Sequence, residues 1–272
     1  MNDITARNRL AAARVARATF LVDKSPRARG DEKTRLALDW IYRWGWASPS
    51  TLDLLSGTVG RGLGTRLVKR GFLIKTRTQA GGGMKGVPTW LLTLSQAGLE
   101  EIERVRDTLL PYELDPYRIR QDQLRHYQLA QLATARNLVK GNLLKSYVTE
   151  KELAARSTAG IKQPDVVWVL QSGAQIAVEV ELSAKWARDL DHFVHACIQS
   201  LAQRADGSRP RFDMVTINTD SPAIVRRYQA AFQPGANYSR WKKDAQRRWV
   251  VSGTAEVPAW IEGRVVCQLL SL

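Results

Sequence analysis

The sequence predicts an α/β protein of the α+β kind, in which a helical region with one β-hairpin precedes a region built around a mixed sheet. Two patterns support this fold class. Apolar residues recur at helical spacing in residues 31–44, and short β-rich runs alternate with helical segments from residue 164 onward. The third observation is size and composition. The chain has 272 residues, 44% apolar and 25% charged, so it can bury a sizeable core, which excludes a mainly disordered or fibrous protein.

Cysteine content and hydropathy exclude several further classes. Only Cys197 and Cys267 occur, which excludes a disulfide framework and a cysteine-rich zinc site and fits a reducing compartment. No apolar run approaches the roughly 18 residues that a membrane helix needs, so no membrane insertion is predicted. No secretory signal is visible, and a cytoplasmic location is expected.

Three short helices are predicted first. Residues 31–44 alternate charge with an apolar stripe, which is typical of an amphipathic helix. Ser48 or Ser50 is expected to cap a second helix that ends near residue 55. A third helix is predicted over residues 60–70, where Gly71 would end it.

A β-hairpin is predicted after these helices. Residues 72–74 and 90–94 are strand-like, and the glycine-rich segment 81–86 between them forms a flexible tip. Three short helices followed by a hairpin predict a winged helix-turn-helix over residues 31–110. Such a domain either places its third helix in the major groove of DNA or serves as a protein-interaction domain of the same fold.

Positive charge dominates the chain, with 41 Lys and Arg against 26 Asp and Glu, a net charge of +15 and a pI near 10.2. This excess favours a polyanionic partner, first of all double-stranded DNA, with an anionic membrane surface as the weaker alternative. No Asp or Glu occurs from residue 54 to residue 99, which covers the predicted third helix and the hairpin. The cationic residues predicted to contact DNA there are Arg61, Arg66, Lys69, Arg70, Lys75, Arg77 and Lys85.

Two other basic segments are predicted to take part. Residues 1–30 form a basic N-terminal arm, either flexible or a helix that orders on DNA. Residues 204–248 form a second basic region, in which Lys242 and Lys243 are candidates for DNA binding. Trp241 and Trp249 are interleaved with these cations, so they either stack on bases or anchor the core beside a solvated turn.

A linker over residues 111–117 is predicted to separate the winged helix-turn-helix, which ends with a helix over residues 96–110, from a second domain over residues 118–272. The elements predicted in the second domain are a helix over 118–139, strands over 164–170 and 175–182 joined by a turn at 171–174, a helix over 186–203, a strand over 212–217, a helix over 221–232 capped by Ser221, and strands over 249–252 and 265–270. This order predicts helices packed on a mixed sheet.

The first two strands of that domain carry the residues predicted to do chemistry. Glu179 and Glu181 lie two apart on one strand and therefore point to the same face. Asp165 opens the neighbouring strand, so Asp165 and Glu179 would hold a divalent ion, Mg²⁺ or Mn²⁺, that activates water for phosphodiester cleavage. Lys185 follows at the start of the next helix and would reach the same site. Alternatively, the glutamates are ion-pair partners of nearby arginines on a half-exposed sheet.

Pro164-Asp165, then Glu179-Val180-Glu181 on the next strand, then a helix, resembles the core of the PD-(D/E)xK nucleases. The resemblance implies a restriction-endonuclease-like domain with Asp165 and Glu179 as metal ligands. A winged helix followed by this core resembles the replication-relaxation family of plasmid and mobile-element proteins, which includes the C-class mobilisation relaxases that nick DNA at a transfer origin. The likeness spans about residues 31–217 and is carried by residues 48–57, 124–126 and 164–185.

The resemblance implies a metal-dependent DNA nickase that acts in mobilisation or replication, with other mobilisation or replication proteins as partners. The family motif has Lys two residues after the Glu, where this chain has Glu181. Either Lys185 replaces that lysine, or Glu181 is a third ligand, or the site is inactive. In the last case the protein is a DNA-binding regulator or an accessory protein of a relaxosome. His126 is interpreted as a packing or linker residue rather than a base.

Overall fold

The computed structural model describes residues 25–57, 62–139, 143–154, 163–204 and 206–270. Within these residues the fold is mixed α/β, with eight α-helices and a five-stranded mixed sheet. The helices are α1 (Pro26–Trp44), α2 (Pro49–Leu55), α3 (Leu63–Lys69), α4 (Gln96–Glu103), α5 (Leu124–Val139), α6 (Glu150–Ala154), α7 (Ala187–Leu201) and α8 (Pro222–Ala231). The strands are β1 (Leu73–Arg77), β2 (Trp90–Leu94), β3 (Leu144–Thr149), β4 (Val166–Leu170), β5 (Gln175–Val180), β6 (Met214–Thr219), β7 (Asn237–Lys243), β8 (Trp249–Glu256) and β9 (Val265–Leu269).

The N-terminal helices follow their capping residues. Helix α1 begins at Pro26 rather than at residue 31, because Ser25 accepts a hydrogen bond from Ala28 N at 3.1 Å and proline suits the first turn. The predicted cap of α2 by Ser48 is confirmed. Helix α3 begins at Leu63, and residues 60 and 61 of the predicted third helix lie outside the described residues. Strands β1 and β2 then pair antiparallel, as predicted.

Two predicted helices are shorter than expected. Helix α4 ends at Glu103 rather than at residue 110, and α5 begins at Leu124 rather than at residue 118, after short 3-10 turns at Pro116–Arg118 and Gln121–Gln123. Tertiary contacts hold the chain after α4. The Tyr42 hydroxyl accepts a hydrogen bond from Leu110 N at 2.7 Å and donates to the Leu110 carbonyl at 3.0 Å.

The central sheet has the strand order β3-β4-β5-β6-β9. The β3–β4 and β4–β5 pairs are antiparallel, whereas β5–β6 and β6–β9 are parallel, so the prediction of a mixed sheet is confirmed. Strands β3 and β7 and helix α6 were not predicted from the sequence. Strand β7 pairs with β8 in a separate hairpin that lies against α7.

Helices cover both faces of the sheet. On one face, Ala130 and Ala133 of α5 lie in one buried core with Val166 and Val178 of the sheet, and Trp40 of α1 belongs to the same core. Helices α7 and α8 pack on the other face. Trp40 Nε1 donates to Gln131 Oε1 of α5 at 2.8 Å, so α5 lies between the N-terminal helices and the sheet.

A buried ion pair also joins the N-terminal helices to the sheet region. The Arg43 guanidinium donates to both carboxylate oxygens of Glu152 at 3.0 to 3.1 Å and lies 3.7 Å from the ring centroid of Tyr147. Glu152 also accepts from Thr149 N at 2.8 Å. These contacts fix the end of α1 against β3 and α6. Among the described helices, none has the length and apolarity required to cross a bilayer.

Candidate active site and basic surfaces

Strand register places two of the predicted site residues at the same end of one hairpin. The antiparallel β4–β5 ladder ends with the pair Val166–Val178, so Asp165 directly precedes this pair and Glu179 directly follows it. Both residues line one cavity, and Glu179 is only 8% exposed.

Hydrogen bonds orient the Asp165 carboxylate. Its Oδ2 accepts the backbone N–H of Val180 at 2.6 Å, and its Oδ1 lies 3.0 Å from His126 Nε2. The backbone N–H of Asp165 also donates to the Val178 carbonyl at 3.0 Å. Because β5 and α5 both hold it, Asp165 occupies a fixed position in the structure.

Glu181 and Lys185 form an ion pair at the same end of β5. Glu181 is 5% exposed, and its Oε1 accepts a hydrogen bond from Lys185 Nζ. On its other side Glu181 faces Tyr228, whose pKa is raised first by burial and then by the charge of Glu181. Lys185 Nζ also lies 4.9 Å from the ring centroid of Phe193. The buried carboxylate of Glu181 is thus neutralised by the lysine four residues later.

All four predicted catalytic residues line one cavity of about 560 Å³. His126, Tyr127, Glu150 and Gln163 also line it, so α5 and α6 supply part of its wall. Tyr127 donates from its hydroxyl to Glu150 Oε2 at 2.8 Å. The interpretation of His126 as a packing or linker residue is therefore incomplete, because its ring contacts Asp165 inside the cavity.

The carboxylates also set the charge of His126. Burial by itself would lower the pKa of its imidazole. The hydrogen bond and charge of Asp165, with the charges of Glu150 and Glu181, outweigh burial and raise that pKa above its usual value. The imidazolium is thus stabilised on the acidic side of the cavity.

The donor set of Asp165 and Glu179 suits a hard divalent cation. Mg²⁺ is commonly bound by one or two carboxylates, with water and substrate phosphate as its other ligands. Each Asp165 oxygen retains a lone pair beyond the hydrogen bond it accepts. In the described part of the chain, no group of three or more His, Cys, Asp and Glu side chains is arranged as a complete metal site. By donor type, the carboxylates of Asp165 and Glu179 in this cavity suit Mg²⁺ or Mn²⁺ as part of an open coordination shell.

The basic residues predicted for DNA binding are exposed wherever the structure describes them. On α3 and the β1–β2 hairpin these are Arg66, Lys69, Arg70, Lys75, Arg77 and Lys85. Arg61 lies outside the described residues. Helix α3 buries Leu63 and Leu67 and turns Arg66 and Lys69, three residues apart, to one solvent face.

The second basic region forms the β7–β8 hairpin. Lys242 and Lys243 are exposed there. Trp241 is half-buried, and its Nε1 donates to Asp191 of α7 at 2.9 Å, so it anchors the hairpin. Trp249 is 41% exposed, with the Lys243 ammonium 5.3 Å from its ring centroid. Of the two predicted roles for these tryptophans, Trp241 therefore has that of an anchor, whereas the ring of Trp249 is available to solvent.

Tyr127 and Glu150 were not predicted to line this cavity, and His126 was predicted only as a packing or linker residue. The signal for His126 was weak, because an isolated histidine in a helix carries no spacing that indicates a partner on a distant strand. Glu150 stands at the end of β3, which was not predicted. No family model, curated protein or solved structure matches the chain.

Proposed function

We propose that this protein is a metal-dependent DNA nickase, in which a winged helix-turn-helix binds duplex DNA and a PD-(D/E)xK-like domain cleaves one strand. The observation that carries the proposal is the convergence of Asp165, Glu179 and Lys185 on one cavity. The exposed cations of α3 and the β1–β2 hairpin support the DNA-binding part. The resemblance to the replication-relaxation family supports a role in mobilisation or replication of a mobile element.

In this proposal the reaction is hydrolysis of one phosphodiester bond. Water adds to phosphorus, the bond from phosphorus to one deoxyribose oxygen breaks, and that oxygen leaves as an alcohol. A bound Mg²⁺ or Mn²⁺ would supply Lewis acidity for the water and for the phosphate. Asp165 and Glu179 would hold it, His126 and Val180 N keep the Asp165 carboxylate in place, and Lys185 would donate to the phosphate oxygens as negative charge develops.

Glu181 occupies the position of the motif lysine, and its partner is Lys185. This contact supports the alternative in which Lys185 supplies the missing cation from the next helix. Glu181 then keeps the lysine ammonium at the cavity. The predicted test is Lys185→Met, which should reduce nicking strongly while Lys185→Arg retains part of it, because only the arginine keeps a charge there.

The same ion pair also favours a second candidate function. If the ion pair with Glu181 neutralises Lys185, the site has no cation for the phosphate. The protein is then a non-catalytic DNA-binding regulator or relaxosome accessory protein. The two candidates share duplex binding and differ only in cleavage, so a nicking assay separates them.

The deciding experiment measures nicking of supercoiled plasmid that carries the source element, in Mg²⁺, in Mn²⁺ and in EDTA. Wild type is compared with Asp165→Asn and Glu179→Gln, which remove charge but keep the shape of each side chain. Asp213→Asn is the matched control, because Asp213 Oδ2 accepts Gln175 N at 2.8 Å at the opposite end of β5. Duplex binding is measured in parallel by fluorescence anisotropy.

The nickase is supported if nicking requires metal, disappears in both site variants and persists in Asp213→Asn. The regulator is supported if wild type binds duplex DNA but neither wild type nor any variant cleaves it. This must also hold when the other mobilisation or replication proteins of the element are added. Absence of duplex binding in wild type overturns both.

A further inference from the structure

An exposed tryptophan lies directly beside the candidate active site. Trp186 follows Lys185 and is 67% exposed, an unusual environment for so large an apolar side chain. The Arg227 guanidinium lies 3.5 Å from the Trp186 ring centroid, and Arg227 Nε donates to the Lys185 carbonyl at 2.7 Å. The indole is thus held in one orientation by a cation that is itself fixed to the backbone.

The backbone at this point is also strained. Ala187 has a φ of 42°, in the left-handed region that alanine rarely adopts. Strain of this kind persists where surrounding structure enforces it, and it concentrates at binding sites. Here it occurs where the chain turns from the cavity into α7, immediately after Trp186.

A second exposed indole borders the same first turn of α7. Trp249 of β8 is 41% exposed, and the guanidinium of Arg188 lies 5.5 Å from its ring centroid. His192, one turn later on α7, contacts the ring edge-on at 4.9 Å between centroids. The short stretch of chain from residue 186 to residue 192 thus carries one exposed indole and contacts the other.

The hairpin that carries Trp249 is cationic. The β7–β8 hairpin carries Arg240, Lys242, Lys243, Arg247 and Arg248, against the acids Asp244 and Glu256. Asp189 pairs with Arg188 at 3.0 Å, and Asp244 pairs with Arg248 at 2.9 Å, which offsets part of this charge. The remaining cations exceed the remaining acid, so a phosphate backbone is favoured along the hairpin.

We propose that Trp186 and Trp249 form a stacking platform for unpaired bases of single-stranded DNA. Single-strand binding sites combine aromatic rings, on which bases stack, with a cationic groove for the backbone. Bases within a duplex are already stacked on their neighbours and offer no free face to a side chain. The platform therefore selects DNA that is locally unpaired beside the cavity. This inference rests on the proposed function, because it assigns the substrate of that site as a strand opened near the cleaved bond.

The test measures binding of a fluorescein-labelled oligothymidylate of about 12 nucleotides by anisotropy with the full chain. Trp186→Ala and Trp249→Ala are each expected to weaken binding about tenfold, whereas Trp186→Phe keeps most of the affinity because it keeps an aromatic face. Trp260→Ala is the matched control. Trp260 is 42% exposed with the Arg264 guanidinium 5.2 Å from its ring centroid, but it precedes the start of β9, at the other end of the parallel strands from the cavity.

Binding of a duplex of the same length separates the two proposals. Loss of single-strand affinity in the two platform variants, with duplex affinity unchanged and Trp260→Ala like wild type, supports the platform. Equal single-strand binding by wild type and both platform variants overturns it while leaving duplex binding and nicking intact. Equal losses in Trp186→Ala and Trp260→Ala also overturn it. Failure of wild type to bind either DNA overturns the proposed function itself.

Discussion

His126 Nε2 lies 3.0 Å from Asp165 Oδ1, which ties the first turn of α5 to the start of β4. The second Asp165 oxygen is held by Val180 N at the end of β5. The Asp165 side chain is 16% exposed, so these two hydrogen bonds replace most of the water that its carboxylate would otherwise bind. The contact thus connects a helix of the N-terminal core to the two strands that carry the carboxylates.

Removing the imidazole should destabilise the protein. His126→Ala leaves a largely buried carboxylate oxygen unpaired, and the free energy of unfolding is expected to fall by about 1–3 kcal/mol. His126→Gln should lose less, because its amide can still donate. Urea unfolding of the three proteins at neutral pH measures the difference. Identical losses in Ala and Gln variants would mean that the hydrogen bond contributes nothing.

Duplex binding should depend on salt through the exposed face of α3. Replacing Arg66 and Lys69 together by Gln is expected to weaken duplex binding and to flatten the plot of log affinity against log salt by about one unit for each phosphate that is no longer neutralised. Lys145→Gln on β3 removes an exposed charge away from α3 and should leave the slope unchanged. Anisotropy titrations across a salt series provide the slopes. A slope unaffected in the double variant would contradict the assignment of α3.

The Arg43–Glu152 pair should contribute strongly to stability. Their side chains are 14% and 11% exposed, so Arg43→Met leaves a buried, uncompensated carboxylate and is expected to cost about 3–5 kcal/mol. Adding Glu152→Gln should recover part of this loss. Arg104→Met breaks the exposed pair with Glu101 and should cost less than about 1 kcal/mol. Similar losses in Arg43→Met and Arg104→Met, measured by denaturant unfolding, would refute the prediction.

Stability should rise with pH on the alkaline side of neutrality. Burial lowers the pKa of Lys151 from 10.5 to about 8, despite the opposing charge of Glu152. Between these values the unfolded chain binds a proton that the folded chain lacks, so the free energy of unfolding increases with pH. The expected gain from pH 8 to pH 9.5 is at most about 2 kcal/mol.

Lys151→Met isolates that contribution, because it removes the titrating group and keeps an apolar stem near Tyr42 and Tyr112. The variant should show a flatter pH profile than wild type over this window. Parallel profiles, from unfolding midpoints at each pH, would show that Lys151 titrates normally in the folded protein.

Gly98 should tolerate no side chain. A Cβ at this position of α4 would lie 2.1 Å from the backbone oxygen of Phe72, so Gly98→Ala must displace the helix from the end of α3 and the hairpin. A loss of about 1–3 kcal/mol is expected. Gly30→Ala in α1 is the control, since a Cβ there meets nothing within 4 Å and should stabilise the helix by about 0.5–1 kcal/mol. Thermal unfolding measures both variants. Midpoints that shift in the same direction in Gly98→Ala and Gly30→Ala would contradict the prediction.

Local patterns were sufficient for much of the fold. The caps at Ser48 and Ser221, the β1–β2 hairpin and the turn between β4 and β5 were all predictable, because each depends on a few adjacent residues. Alternation along β5 placed Glu179 and Glu181 on one face for the same reason. Strand β3 was missed because Leu144–Thr149 is short and half polar. Residues 104–110 were wrongly predicted as helical. The contact that holds Leu110 comes from Tyr42, which is far away in sequence and so leaves no local pattern.

The sequence by itself determined the excess of positive charge, the mixed α/β class and the set of carboxylates at the end of one hairpin. Only the tertiary structure decided which distant groups meet those carboxylates: His126 at Asp165 and Tyr228 at Glu181. The physical reason is range. Caps, turns and strand alternation act over a few residues, whereas a buried charge is compensated by whichever distant group the packing of the helices on the sheet brings within hydrogen-bonding distance.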